Sequence, residues 1–268
     1  MVAYLQVAAV TVVGVYLLLA LYGCAMSDRL MFLPPPPTYR DSPEILKIPA
    51  PDGSTLAARY LSCPDARYTI IYFHGNAEDL GGIESRLQMM RDRLHVSVLG
   101  WDYPGYGHSS GLVDERATLR GAHAVLAYAT GVLGVPAGRV VFFGRSLGSG
   151  PAVELASSGP CAGLVLESAF TSAFRVMTGV RLLPFDKFVN LEKMSRVRCP
   201  VLVIHGTADQ VIPFSHGLKL FAAAPEPKRY LWVEGAGHND LIPMAGEAYW
   251  QALAGFLVRA GEPLHDAP

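Results

Sequence analysis

Short apolar runs separated by stretches of helical spacing recur along the chain from residue 44 to residue 260. The runs Thr69 to Phe73, Val96 to Trp101, Val140 to Phe143, Gly163 to Leu166, Val201 to Ile204 and Tyr230 to Val233 are rich in β-branched and aromatic residues. Such near-continuous runs suit strands buried on both faces. Between them, Gly82 to Leu94, Glu115 to Gly131, Leu147 to Ala156, Phe214 to Ala223 and Leu241 to Leu257 read as helices. This alternation predicts βαβ units and a parallel sheet. Ahead of them, Ile45 to Ile48 and Leu56 to Leu61 flank the turn Pro51-Asp52-Gly53-Ser54 and read as an antiparallel hairpin. The expected fold is α/β: an eight-stranded, mostly parallel sheet with helices on both faces.

Two segments depart from this rhythm. Residues 1–26 hold no charged side chain and only scattered polar groups such as Gln6 and Thr11. About 20 apolar residues in a helix cross the hydrocarbon core of a bilayer, so this segment is expected to be a transmembrane anchor. The absence of a basic stretch before the apolar run disfavours a cleaved signal peptide. Leu21-Tyr22-Gly23-Cys24 offers a lipoprotein processing site, which Tyr22 fits poorly. Arg29 and Arg40 follow the segment, and the positive-inside tendency then puts the remainder on the cytoplasmic side. Pro34 to Pro37 stiffen a spacer over 27–43, the folded domain covers 44–260, and 261–268 is expected to fray.

The second departure lies between Glu167 and Cys199. About 30 residues there exceed an ordinary connection. They are apolar and aromatic, with Phe170, Phe174, Val176, Met177, Leu182, Leu183, Phe185 and Phe188. Placed after a strand end, residues 169–198 would form a small helical cap suited to an acyl chain, with Arg175 and Arg181 available to a carboxylate or lipid phosphate. A helical connection whose apolar face packs on the core accounts for them equally well.

Composition excludes several classes of function. Lys+Arg 22 against Asp+Glu 23 gives a net charge of -1, so no basic surface invites nucleic acid. Hydrophobic residues make up 51% and charged residues 17%, an apolar balance to which the N-terminal segment contributes. The 4 cysteines show neither metal-ligand spacing nor a CxxC pair. No glycine-rich phosphate loop is present, and the chemistry below needs neither metal nor cofactor.

The candidate chemistry begins at Gly144-Arg145-Ser146-Leu147-Gly148, directly after the run Val140 to Phe143. A serine between a buried strand and a helix, flanked by glycines, has the form of a nucleophile elbow. Serine is a weak nucleophile and needs a histidine base with an acid to orient it. His238 sits in the loop Glu234 to Asp240 after the last strand, and no other histidine combines that order and place. Two carboxylates end strands where they could reach it, Asp209 after Val201 to Ile204 and Glu167 after Gly163 to Leu166. The bland alternative for Asp209 is a turn aspartate capping the helix near Phe214. The developing oxyanion needs donors: the backbone N–H of Leu147, at a helix start, and that of Asn76, in the loop His74-Gly75-Asn76-Ala77.

These segments carry a resemblance. Tyr72 to Asp79, Asp102-Tyr103-Pro104-Gly105-Tyr106-Gly107-His108-Ser109, Gly144 to Gly148, His205 to Asp209 and Gly237-His238-Asn239-Asp240 together resemble the α/β-hydrolase superfamily. Over residues 44 to 260 the chain looks most like its membrane-anchored serine hydrolases, a branch that includes protein depalmitoylases and many bacterial relatives. The resemblance implies the α/β-hydrolase fold and a Ser146–Asp209–His238 triad, favouring Asp209 over Glu167. It also implies cleavage of carboxylic esters or thioesters with a small or lipid-like acyl substrate. An aminopeptidase-like amidase would use the same triad, and a catalytically silent, membrane-tethered binding protein could occupy the same fold. The loop after Asp102 is expected to be structural, although Tyr103 and Tyr106 could line an acyl site.

Overall fold

The structure, a computed structural model, describes residues 1–178 and 184–260. The expectations for Arg181, Leu182, Leu183 and the tail 261–268 therefore lie outside the described residues. The chain opens with helix α1 (Val2–Met31), followed by strands β1 (Leu46–Pro49), β2 (Thr55–Leu61) and β3 (Thr69–Phe73). Helix α2 (Leu80–Leu94), strand β4 (Ser97–Trp101) and helix α3 (Glu115–Gly131) come next. Strand β5 (Val140–Arg145) enters a 3-10 turn at Ser146–Gly148 and then helix α4 (Ser149–Ser158). After β6 (Gly163–Glu167) come the short helices α5 (Ala173–Thr178) and α6 (Asn190–Lys193). The chain then forms β7 (Val201–Gly206), α7 (Ser215–Ala223), β8 (Lys228–Val233), α8 (Leu241–Ala245) and α9 (Glu247–Ala260).

The eight strands form one sheet in the order β1-β2-β4-β3-β5-β6-β7-β8. β1 and β2 are antiparallel to their neighbours, and the other six strands run parallel. Every residue of β3, β4, β5, β6 and β7 is buried, as continuous apolar runs require. Successive side chains leave opposite faces of a strand. Ile71 and Phe73 thus join Phe142 and the α3 and α4 residues Val125 and Val153, while Ile70 and Tyr72 join Phe143, Leu87 of α2 and Trp250 of α9. Each large apolar side chain so buried contributes about 2–3 kcal/mol.

The final helix differs from its sequence reading. The stretch expected as one helix from Leu241 to Leu257 breaks at Gly246, whose φ of +54° a helix cannot hold. α1 also runs on to Met31, beyond the expected anchor end at residue 26. Ser27 to Met31 contain no helix breaker, and the first proline is Pro34.

The span Tyr4–Met31 of α1 is long and apolar enough to cross a membrane, and only 6% of its most apolar stretch is buried. Its exit is bound to the body. Phe32 is buried against Phe188, with ring centroids 6.1 Å apart, and Asp28 pairs with Lys187 at 2.5 Å. Farther along, Thr38 bonds to Asp79, and the Tyr39 hydroxyl donates to Asp102 at 2.6 Å.

Topology fixes where a site can form. From β3 the chain proceeds to β4 on one side and then to β5 on the other, so a crevice opens beyond the carboxyl ends of β3 and β5. The loop after β3 carries Asn76, and the turn after β5 carries Ser146.

Candidate active site

Ser146 sits at the end of β5 with φ +49°, a left-handed conformation that side chains other than glycine rarely adopt. The turn is so tight that the positions two residues to either side, Gly144 and Gly148, tolerate no side chain. A Cβ on Gly144 would come 2.6 Å from the Gly148 carbonyl, and one on Gly148 would collide with the backbone of Phe73 and His74. The two glycines therefore let α4 fold back against β5 and β3, which holds the serine hydroxyl at the crevice.

β7 lies two strand spacings from β5, about 10 Å away. The imidazole of His238, reaching back from beyond β8, closes that gap. Its Nε2 lies 3.0 Å from Ser146 Oγ, and its Nδ1 lies 2.8 Å from Asp209 Oδ2. Asp209 does not cap the helix that begins at Ser215, which has no side-chain cap, but it does shape the turn before it. Its Oδ1 accepts the Val211 and Ile212 amides at 2.8 Å each, as a turn aspartate does, which leaves Oδ2 to face the histidine. Burial pushes this carboxyl up, but hydrogen bonding with His205, His238 and the Ile212 amide outweighs it and holds Asp209 well below the usual carboxylate range. Asp209 is thus an anion at neutral pH.

Glu167, the other strand-end carboxylate, is engaged elsewhere. Its Oε1 accepts from Arg86 at 2.6 Å and lies 3.2 Å from Arg145 Nε, while its Oε2 accepts the Tyr249 hydroxyl at 2.5 Å. His238 turns to Asp209 instead. His205 is fully buried beneath the acid, with Nε2 donating to the Ile212 carbonyl at 2.9 Å and lying 3.5 Å from Asp209 Oδ2.

The N–H of Asn76 belongs to the same peptide unit as the Gly75 carbonyl and points opposite to it. His74 Nδ1 donates to that carbonyl at 2.8 Å, which requires the Nδ1–H tautomer because a carbonyl only accepts. The Asn76 amide is thereby aimed to the other side. Among the described residues neither it nor the Leu147 amide donates to a protein acceptor. The Asn76 side chain does different work, with Nδ2 donating to Met31 O at 2.6 Å and Oδ1 accepting Leu33 N at 2.9 Å. The end of α1 is thus tied to the loop that carries the amide.

Tyr103 and Tyr106 are fully buried and brace the same loop. The Tyr103 hydroxyl donates to the His74 carbonyl at 2.5 Å and that of Tyr106 to Asn76 Oδ1 at 2.7 Å. Asp102 beneath them accepts the Leu80 amide at 2.8 Å, and burial pushes its carboxyl up to about 6. In the cap, Phe170 and Phe188 are core residues, whereas Phe174 and Phe185 are half-buried and meet edge-to-face at 5.7 Å. Arg175 is ion-paired with Glu192 at 3.2 Å and Asp186 at 3.5 Å. The carboxylates it meets are thus those of the same connection between β6 and β7.

No family model matches the chain. Human alpha/beta hydrolase domain-containing protein 17B is 35% identical over 246 residues, a match covering 81% of this chain and 85% of that protein. The chain belongs to the α/β-hydrolase family. The hydrolase is also 40% identical over 189 residues to mouse alpha/beta hydrolase domain-containing protein 17C, covering 69% of the chain and 59% of that protein. Among solved structures, an esterase from Pyrococcus furiosus matches it with a TM-score of 0.70 at 17% identity, over 85% of the chain and 99% of that protein. A hydrolase from Pseudomonas aeruginosa gives 0.63 at 18% identity, over 81% and 99%. At these identities the solved structures bear on the fold alone. Family and fold are those the sequence motifs led us to expect.

Proposed function

We propose that the hydrolase cleaves carboxylic esters or thioesters through an acyl intermediate on Ser146, at a membrane surface. The observation that carries this reading is the unbroken relay from Ser146 Oγ through His238 to Asp209, at 3.0 and 2.8 Å. Both contacts lie within reach for proton transfer. Ser146 Oγ attacks the acyl carbon while His238 Nε2 takes its proton. Asp209 keeps the proton on His238 Nδ1 and stabilises the imidazolium. The amides of Asn76 and Leu147 receive the oxyanion. As the tetrahedral intermediate collapses, His238 returns the proton to the departing alkoxide or thiolate. Water activated by the same imidazole then releases the acid.

The membrane part of the reading is supported by α1 and its exit. Met26 lies about 8 Å along the helix from Met31, whose carbonyl is bonded to Asn76. A bilayer around α1 would therefore lie close to the crevice, and Arg29 and Arg40 favour a cytoplasmic catalytic body. That placement suits acyl groups held in or on the lipid.

The test is a substrate panel with the full chain in detergent: p-nitrophenyl esters from acetyl to palmitoyl, acyl thioesters and aminoacyl arylamides. Esters and thioesters are expected to turn over and arylamides to lag far behind. Preference for arylamides would replace this reading with an amidase. A folded chain with no turnover on any of them would make it a binding protein.

A further inference from the structure

Arg145 is the one charged residue in β5, and its side chain is 6% exposed. A guanidinium is taken that far out of water only where several acceptors meet it. Here they arrive from three directions. Arg145 Nη1 donates to Glu78 Oε1 at 2.8 Å, and Nε lies 3.2 Å from Glu167 Oε1. Nη2 donates to Asn239 Oδ1 at 2.6 Å and, at 3.4 Å, to the carbonyl of His238 itself.

These partners lie on either side of Ser146. Glu78 accepts the Gly75 amide through its other oxygen at 2.6 Å, so the path from Arg145 through Glu78 ends one residue before the Asn76 amide. Asn239 and the His238 carbonyl belong to the loop that carries the imidazole. Gly75 supplies an independent sign that the guanidinium sits against the amide loop by construction. A Cβ there would come 2.6 Å from Arg145 Nη1 and 2.8 Å from Glu78 Oε2, so a side chain at this position would displace the guanidinium and the carboxylate from their present places. Glu167, the strand-register partner of Arg145, completes the setting, with Arg86 balancing the second carboxylate.

We propose that Arg145 is a positioning residue that clamps the Asn76 loop and the His238 loop to the strand bearing Ser146, so that base, nucleophile and oxyanion donors keep one geometry. The proposal rests on the acyl-serine reading above. Arginine suits the role because its planar fork donates in several directions at once, which a lysine ammonium on a flexible stem does not reproduce. The residue touches neither substrate nor reacting atoms and acts through Glu78, Asn239 and the His238 backbone.

The experiment measures kcat and KM for p-nitrophenyl acetate with the full chain, its Arg145→Ala and Asn239→Ala variants, and Arg145→Ala supplemented with methylguanidinium. Wild-type turnover and its loss in Ser146→Ala are read first, since without them the acyl-serine reading falls and this inference with it. Given that activity, Arg145→Ala is expected to lower kcat about 100-fold with KM little changed, the size of effect produced by misplacing reacting groups by about an ångström. Methylguanidinium is expected to restore part of kcat in Arg145→Ala and to leave Ser146→Ala inert, a rescue that a purely structural side chain would not allow. Asn239 is exposed, so Asn239→Ala provides a test even if Arg145→Ala fails to fold; it is expected to lose kcat without changing KM. Wild-type kcat in either variant, or a loss confined to KM, or no response to methylguanidinium overturns the proposal.

Discussion

Ser146→Ala lowers kcat for ester hydrolysis by about a million-fold, the scale on which a serine hydrolase loses its nucleophile. On the proposed mechanism the residual rate would come from the amides of Asn76 and Leu147 and from binding, since neither depends on the hydroxyl. Folding is unaffected. Ser146 is 8% exposed, its hydroxyl meets only His238, and alanine keeps the backbone that Gly144 and Gly148 shape. Initial rates on a short p-nitrophenyl ester, with thermal denaturation as the control on folding, check this outcome. A variant retaining even one per cent of the wild-type rate would place the nucleophile elsewhere.

Asp209→Asn produces the second large effect, a fall in kcat of about ten thousand-fold. The carbonyl oxygen of asparagine still accepts the Val211 and Ile212 amides, so the loop keeps its shape. What changes is the atom facing His238 Nδ1. An amide NH2 there donates, which forces the imidazole to carry its proton on Nε2 and point it at Ser146. The base can then no longer accept the serine proton. Steady-state rates across pH check the prediction. Glu167→Gln is the informative comparison: both Glu167 oxygens serve Arg86, Arg145 and Tyr249, so its substitution loosens the structure instead of disabling the base. A larger loss of kcat in Glu167→Gln than in Asp209→Asn would reverse the assignment of the acid.

Much of this architecture is legible in the sequence because the strands are buried on both sides. A run such as Val201 to Ile204 has no polar position to confuse its reading, and Asn76, Ser146 and Asp209 come soon after such runs, whereas His238 follows β8, a largely half-exposed edge strand. Helix ends were harder to read. Gly246 reads as an ordinary glycine within an apolar helical pattern, and only its positive φ divides α8 from α9. The role of Asn76's side chain was hidden for a different reason. Its partners Met31 and Leu33 lie 45 and 43 residues away, in a segment that reads only as a stiff spacer.

The sequence carries a signal for Arg145 as well. A charge closing a fully buried parallel strand needs partners, and Glu167 closes the neighbouring strand in the same way. Two opposite charges at matching strand ends imply a buried pair, and that pairing argues against Glu167 as the acid. The cap was the least legible part. Apolar periodicity alone does not distinguish Phe188, which packs on Gly150 in the core, from Phe174, which is half-buried.

The central claim is that Ser146 is activated by His238 to form a covalent acyl intermediate. Its most direct test is to treat the folded full-length chain with a fluorophosphonate, digest it and locate the adduct by mass spectrometry. One stoichiometric adduct is expected, on the peptide containing Ser146, forming far more slowly in His238→Ala. An adduct on a different serine, or none on a correctly folded wild-type chain, would contradict it.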